Sequence, residues 1–201
     1  MLRISSHGLR TQKRVFLTFD DGPNPYFTEQ VLKILDEFGV KATFFILGVR
    51  AQQYPDMLCK IKNSGHKIGN HTYSHSLADF YKCEQILNQY GIQSQFVRPP
   101  YFDPKYCTDK HFFHNRTIIL GDARTYDYTG ISAKEILTNC KNNVQNGSIL
   151  TFHDGSDKLH EMPDRPKEML KSLPFIIDFL LKDYTISVLD NALLDFNPDV
   201  D

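Results

Sequence analysis

Short runs of β-branched and aromatic residues alternate with longer amphipathic runs along most of the chain. The short runs predict strands over Arg14–Phe19, Ala42–Leu47, His66–Gly69, Gln95–Arg98, Thr117–Leu120, Ser148–Phe152 and Thr185–Leu189. Between most of them the apolar period lengthens to that of a helix. Thr28–Phe38 places Val31, Leu32, Leu35 and Phe38 on one face and stops at Gly39, a residue suited to the left-handed turn past a helix end. Tyr54–Asn63 stops at Gly65 and Ala78–Tyr90 at Gly91. Ser132-Ala133-Lys134-Glu135 reads as a capping box opening a helix that ends near Gly147. Arg165–Lys182 carries Pro174 inside its apolar run, which predicts one kinked helix or two. Strands alternating with helices in this way imply right-handed βαβ crossovers and a parallel sheet. About seven parallel strands favour an α/β fold with barrel-like closure over an open sheet.

Composition narrows the field only slightly. A chain of 201 residues with no repeat, low-complexity tract or Pro/Gly-rich linker is expected to form a single domain over 1–201. A net charge of −1 gives no electrostatic reason to expect nucleic acid or an anionic membrane as partner, and no protein partner is inferred. Cys59, Cys83, Cys107 and Cys140 are widely spread without a C-x-x-C and read as free thiols. The opening MLRISSHGLRTQKR is basic without an apolar run of signal-peptide length, and no stretch could span a bilayer. The expected location is cytoplasmic, or secreted if the sequence is a piece of a longer one.

Candidate chemistry gathers where the predicted strands end, which is where α/β barrels carry their functional groups. Asp20 and Asp21 follow the first strand; Asn70, His71 and His75 the third; Arg98, Pro99, Pro100 and Tyr101 the fourth; Asp122 the fifth; His153 and Asp154 the sixth. Adjacent carboxylates at the end of an apolar strand repel unless a cation or a positive side chain shares them. His71 and His75 lie four apart in GNHTYSH, a spacing that on a helical turn would put both imidazoles on one face. Alone it fits an ordinary surface helix as well as a metal site. Beside Asp20–Asp21 it completes a set of two imidazoles and one carboxylate, with positions left open for water and substrate. One aspartate then binds the ion and the other stays free as a base. Arg98, fixed by two prolines, is either a rim salt bridge or that base's positive neighbour. His153 is either a core histidine or, beside a carboxylate such as Asp122, a proton donor with a raised pKa. His66 and Asp154 read as structural, and His7, His111, His114 and His160 as surface residues.

These residues resemble the polysaccharide deacetylases of carbohydrate esterase family 4, which share the NodB homology domain. TFDDGP at Thr18–Pro23, the segment His71–His75, RPPY at Arg98–Tyr101, DARTY at Asp122–Tyr126 and LTFHD at Leu150–Asp154 stand in the family's order. KATFFILG and GHKIGNH also look like the family's second and third strands. The resemblance implies a distorted (β/α) barrel and metal-dependent hydrolysis of acetyl groups, most of all N-acetyl, from a glycan or oligosaccharide substrate. It implies Asp21, His71 and His75 as ligands of Zn2+, with Co2+ or Ni2+ as other divalent choices, and Asp20 as the general base oriented by Arg98. It implies Tyr101 as a backbone oxyanion donor, and His153 as the general acid held by Asp122.

Three departures from the family pattern stand out. Tyr126 replaces the usual Trp of the fourth motif and Thr151 the usual Leu of the fifth, both in the acyl pocket. Phe102 stands where glycine is common. Only residues 76–97 separate the second and third motifs, a shortening expected to remove a groove wall. Tyr73, Tyr101, Phe102 and Tyr126 are candidates for stacking on sugar faces. Chitin oligomers, peptidoglycan, acetylated xylan and capsule all fit as substrates. Two other readings are a carbohydrate-binding protein on a decayed deacetylase scaffold and a metal-dependent amidohydrolase acting on a non-glycan amide.

Overall fold

The computed structural model describes residues 2–76, 78–107, 109–156 and 166–196. In chain order the elements are β1 (Arg3–Ser5), β2 (His7–Gly8), β3 (Arg14–Asp20), α1 (Phe27–Glu37), β4 (Thr43–Ile46), α2 (Gly48–Gln53), α3 (Pro55–Asn63), β5 (Lys67–Asn70), α4 (Phe80–Gln89) and β6 (Phe96–Val97). They continue with α5 (Lys110–Phe113), β7 (Thr117–Ile119), β8 (Ala123–Arg124), α6 (Ala133–Asn143), β9 (Ile149–His153), α7 (Lys167–Leu181), β10 (Thr185–Ser187) and β11 (Leu194–Asp195). The main sheet runs β1-β7-β6-β5-β4-β3-β9-β8, with β10 paired to the start of β3. Its pairings are all parallel, as the βαβ alternation requires. β2 and β11 form a separate antiparallel pair. Each expected strand is present, and β1, β8 and the β2–β11 pair are added by pieces too short to show a period of two.

Side-chain alternation along the strands separates two apolar layers and thereby places the site. Val15, Leu17 and Phe19 of β3, Phe44 and Ile46 of β4, and Leu150 and Phe152 of β9 face the helices, packing with Val31, Leu35, Leu58, Ile61, Leu173 and Ile177. Phe19 stacks on Phe44 and Phe152 with ring centroids 5.1 and 5.5 Å apart. Full burial of a side chain of this kind is worth about 1.5–3 kcal/mol. The intervening positions point into the curved sheet, where Phe16, Phe45, Phe96, Ile119 and Ile149 form an apolar floor. One step further along β3, β9 and the end of β6 the inward positions turn polar: Thr18 and Asp20, Thr151 and His153, and Arg98. Gly69 on β5 makes room for this floor, since a Cβ there would come within 2.5 Å of the Phe45 ring and 3.2 Å of the Phe96 carbonyl.

The helices show where local pattern is overruled. Pro174 does not divide α7, which runs unbroken through it. Met169, Leu173, Ile176, Ile177 and Leu180 are all buried in one core, so packing holds the helix on both sides of the proline. Arg165 lies outside the described residues, as does His160. The capping box of α6 is formed, with Ser132 Oγ accepting from the Glu135 N–H and Glu135 accepting from the Ser132 N–H. The helix ends at Asn143, short of Gly147, because Val144 turns extended. All four cysteines are free thiols. Among the described residues no helix is long and apolar enough to cross a membrane.

Candidate metal-dependent active site

β3 delivers Asp20 to the rim of the sheet, level with His153 of β9 on one side and Phe45 of β4 on the other. Beyond it the backbone of Asp21 enters the left-handed region at φ 71°. Thr72, His75, Tyr101, Phe102 and Tyr126 do the same, at φ between 58° and 71°. These are the non-glycine residues with positive φ among the described residues, and every one lies in a loop at this rim. Such conformations cost about 1–3 kcal/mol each and persist where the surrounding structure imposes them. They also correct the helical-turn expectation for His71 and His75. Residues 71–76 form an irregular loop after β5, and its two left-handed residues, not helical geometry, bring the imidazoles together.

The result is a cluster of Asp21, His71 and His75 whose ligand atoms all lie within 4.8 Å of one another. Asp21 Oδ1 is 3.4 Å from His71 Nε2 and 3.6 Å from His75 Nε2. That oxygen is buried and receives no hydrogen bond of good geometry, a costly arrangement unless a cation completes it. His71 Nδ1 lies 2.7 Å from the Arg98 carbonyl. The carbonyl can only accept, so Nδ1 carries the proton and Nε2 is left as a donor atom for a metal. Burial tends to raise the Asp21 pKa, but the neighbouring His71, with His153 and His75, carries it well below the ordinary carboxylate value. Burial acts to lower the His71 pKa, and Asp20 and Asp21 together overcome this and raise it. The donor set and its orphaned oxygen fit a divalent ion.

Arg98 is a core residue, fully buried, and not a rim salt bridge. Its Nη1 donates to Asp20 Oδ1 at 2.7 Å and to Thr18 Oγ1 at 2.8 Å, and its Nε donates to the Ile119 carbonyl at 3.3 Å. The guanidinium lies over Phe45, 4.1 Å from the ring centroid. A buried cation is expensive, and here three hydrogen bonds, one of them to the Asp20 carboxylate, offset much of that cost, while Nη2 is left without a hydrogen-bond partner among the described residues. Asp20 is thereby held beside the cluster, with its Oδ2 4.0 Å from His71 Nε2.

His153 is held by Asp127, not by Asp122. Its Nδ1 lies 2.9 Å from Asp127 Oδ1, and its backbone N–H donates to Asp127 Oδ2 at 2.7 Å. Burial would lower the imidazole pKa, yet Asp127, with Asp21 and Asp20 behind it, raises it to about 9. Asp122 instead pairs with Arg10 at 2.6 Å and accepts from the Ile149 N–H at 2.8 Å. Ile149 opens β9 and His153 closes it, so Asp122 stands about 13 Å away along the strand. The reason is register. β8 pairs Ala123 with Leu150 and Arg124 with Thr151, and continuing that pairing brings the chain level with His153 near Tyr126. Asp127 is the acid at that height. The available signal was a second acid directly after the same motif, five residues past the first.

The remaining candidates divide. Thr151 points inward with His153 and is nearly buried. The ring that meets the His153 imidazole is Tyr128, with centroids 5.3 Å apart, and Tyr126 lies against Tyr128 at 6.4 Å with 42% of its surface exposed. Tyr101 is 72% exposed and presents its ring edge-on to His75 at 5.0 Å. Asp154 is fully buried and accepts from Thr28 Oγ1. A Cβ at Gly22 would meet its carboxylate at 2.5 Å, so Asp154 packs beneath the Asp21–Gly22 turn. Burial lifts its pKa to about 7 against the lowering effect of Thr28.

The comparisons with known proteins agree with this geometry. The family model described as polysaccharide deacetylase matches residues 7–102. A chitooligosaccharide deacetylase of Sinorhizobium fredii is 49% identical over 158 residues, covering 70% of this chain and 72% of the relative. A peptidoglycan-N-acetylglucosamine deacetylase of Bacillus cereus is 40% identical over 162 residues, covering 73% of this chain and 58% of the relative. A peptidoglycan-N-acetylmuramic acid deacetylase of Bacillus subtilis is matched over 32% of its length, so the chain spans well under two thirds of some of its relatives. Among solved structures, a peptidoglycan N-acetylglucosamine deacetylase superposes with a TM-score of 0.86 at 33% identity, over 94% of this chain and 91% of that one. The chain belongs to the polysaccharide deacetylase family, carbohydrate esterase family 4 with its NodB homology domain. A pseudoenzyme of the same family from Bacillus anthracis superposes with a TM-score of 0.82 at 19% identity. Fold alone therefore does not carry activity; the site must.

Proposed function

We propose that this chain, over 1–201 as one NodB homology domain, hydrolyses the N-acetyl group of a glycan with a divalent ion held by Asp21, His71 and His75. The observation that carries the reading is the undonated, buried Asp21 Oδ1 between two imidazole nitrogens, flanked by an oriented carboxylate and an oriented imidazole. Bound there, the ion would supply Lewis acidity to the amide carbonyl and acidify water. Zinc suits two imidazoles and one carboxylate, and cobalt or nickel can take the same donors.

The chain's own residues supply the proton movements. Asp20, held by Arg98 at 2.7 Å, accepts a proton from the attacking water. His153, kept protonated by Asp127, gives its Nε2 proton to the departing amine nitrogen. Asp127 carries the role the sequence reading gives to Asp122. The Tyr101 N–H, in the 100–102 turn, would serve as the oxyanion donor; the ring of the same residue lies against His75. Thr151 and Tyr128 would bound the acyl group, and Tyr126 and Tyr101 the sugar. A scaffold retained only for binding sugar has no use for two buried partners, Arg98 and Asp127, that tune a base and an acid. The test is acetate release from a panel of acetylated glycans by metal-stripped and zinc-restored protein. Release that depends on restored metal supports the reading; none from any substrate overturns it.

A further inference from the structure

The rim carries a cation that the proposed chemistry does not use. Arg124 ends β8 and is exposed, while Ala123 before it is buried in the helix-facing core. Arg124 therefore lies on the same inward side of the sheet as Thr151, its partner in register, and His153. Its Cα stands about 8 Å from that of His153, from the spacing of strands and the rise along them. Its guanidinium lies over Phe102, 5.1 Å from the ring centroid, and the guanidinium of Arg98 lies 5.4 Å from the same ring. Phe102 is thus placed between the arginine that holds the base and the arginine at the surface.

Two facts make this more than an ordinary surface contact. Phe102 holds φ at 58°, a conformation that glycine would adopt without strain. The benefit of a side chain there is the platform it gives to Arg124. The other arginines near this side of the sheet are paired: Arg10 with Asp122, Arg98 with Asp20, Arg116 with Glu84. Arg124 has no carboxylate or carbonyl partner among the described residues. A braced, unpaired guanidinium about one sugar ring from the proposed acid is arranged to receive an anion, and its planar fork matches a carboxylate.

We propose that Arg124, braced on Phe102, binds a carboxylate of the glycan, and so selects an N-acetylated sugar bearing that carboxylate within about one ring of the acetamido group. The inference rests on the deacetylase reading for the position of the acetamido group. A sugar of the muramic type, with an O-lactyl carboxylate on the carbon next to the acetamido carbon, meets the requirement; a neutral chitin-type chain does not.

The experiment uses one acetylated muramic-type oligosaccharide as its free acid and as its methyl ester. For the zinc-loaded protein, kcat/KM should favour the acid about tenfold at low salt, the scale of a hydrogen bond to a charged group, and the preference should shrink as salt rises. Arg124→Gln should bring the ratio close to one, Arg124→Lys should keep part of it, and Phe102→Gly should lower it by releasing the arginine. Calorimetry on the metal-stripped protein gives an independent reading, with the acid bound more tightly than the ester and the difference lost in Arg124→Gln. A binding preference without acetate release from any substrate would leave the anion site standing and remove the deacetylase reading. Equal treatment of acid and ester by the unaltered protein, in both turnover and binding, overturns the proposal, as does an Arg124→Gln protein that keeps the full ratio. In either case the Arg124–Phe102 contact only closes the gap beside β8.

Discussion

Asp127 grips His153 twice, through the imidazole Nδ1 at 2.9 Å and through the backbone N–H at 2.7 Å. The side chain and the strand end are thus fixed by one carboxylate, and with Nδ1 engaged, Nε2 is the ring nitrogen left to deliver a proton. His153 has a pKa raised to about 9, so the rate should fall on the alkaline side as this proton is lost. An ion on Asp21 offsets part of that rise, and the limb of the loaded protein should lie below about 9. Asp127→Asn removes the carboxylate and should move the limb toward the ordinary histidine value, with turnover lowered by about 10²-fold or more. Asp122→Asn should leave the limb in place and lower stability, because it breaks the pair with Arg10. Profiles of kcat/KM against pH for the two variants decide between the two aspartates.

Metal content should follow the cluster and not the base. His71→Ala and His75→Ala each remove a nitrogen near Asp21 Oδ1 and should lose stoichiometric metal. Asp20→Asn should keep the ion and lose turnover by about 10²–10⁴-fold, the usual effect of removing a positioned base. Elemental analysis alongside acetate release separates these outcomes. Full metal occupancy in His71→Ala would show that the ion binds elsewhere.

Arg98 should prove to be a stability residue as well as a positioning one. Removing it leaves Asp20 buried at 1% exposure without its partner, and breaking a buried pair in this way costs about 3–5 kcal/mol. At roughly 2–4 °C per kcal/mol for a domain of this size, Arg98→Leu should lower Tm by about 6–20 °C. Adding Asp20→Leu removes the stranded charge and should recover much of the loss. Thermal unfolding of the single and double variants measures the coupling; simple additivity would mean that the pair does not act as one unit.

Much of this is legible in the sequence because the signals are local. The eleven residues of α1 repeat their apolar face three times, and β3 and β9 are apolar runs ending in charge. The Asp20–Asp21 pair and the His71–His75 spacing lie within single loops. β8 is different, since two residues cannot display a period. Without β8 there is no register to show that Asp127, and not Asp122, stands level with His153, so the missed strand and the misplaced acid are one error. His71 and His75 meet as expected, but through left-handed residues that spacing cannot announce. The bracing of Arg124 by Phe102 joins positions distant in sequence and follows only from the fold.

His66 should make the fold sensitive to acid. Its Nδ1 accepts from the Ala42 N–H at 3.2 Å, and its ring meets Phe44 edge-on at 5.3 Å. Burial first, then the nearby Lys41, lowers its pKa to about 4. With the folded value below the unfolded one, the unfolded chain binds more protons between pH 6.5 and 4, so stability contributed by the neutral ring is present above 6.5 and lost as pH falls through that window. The loss is at most about 3–4 kcal/mol, at 1.36 kcal/mol per pH unit, and solvent screening of the partly exposed ring makes it smaller. Urea unfolding of His66→Gln across this range should give a shallower decline than the unaltered protein. Parallel curves would assign the acid sensitivity to other groups.

Acyl preference is the last expectation, and the structure changes which residues should set it. Tyr128 meets the His153 ring, while Tyr126 packs against Tyr128 and is partly exposed to solvent. Thr151 points inward two residues before His153, and its Oγ1 stands 3.0 Å from where a Cβ on Gly121 would be. A leucine at 151 would fill that space with methyl groups, and a tryptophan at 128 would extend the aromatic wall toward the imidazole. The present pair therefore leaves a roomier and more polar pocket, tolerant of formyl and propionyl groups. A methylene in such a pocket is worth about 1–3 kcal/mol, or 10–200-fold. Relative kcat/KM on N-formyl, N-acetyl and N-propionyl forms of one sugar should sharpen toward acetyl in Thr151→Leu combined with Tyr128→Trp. Tyr126→Trp alone should shift sugar affinity and leave the acyl ranking as it was. If Tyr126→Trp reorders the acyl groups and the 128/151 pair does not, the acyl wall is Tyr126 and the approach of Tyr128 to His153 serves packing alone.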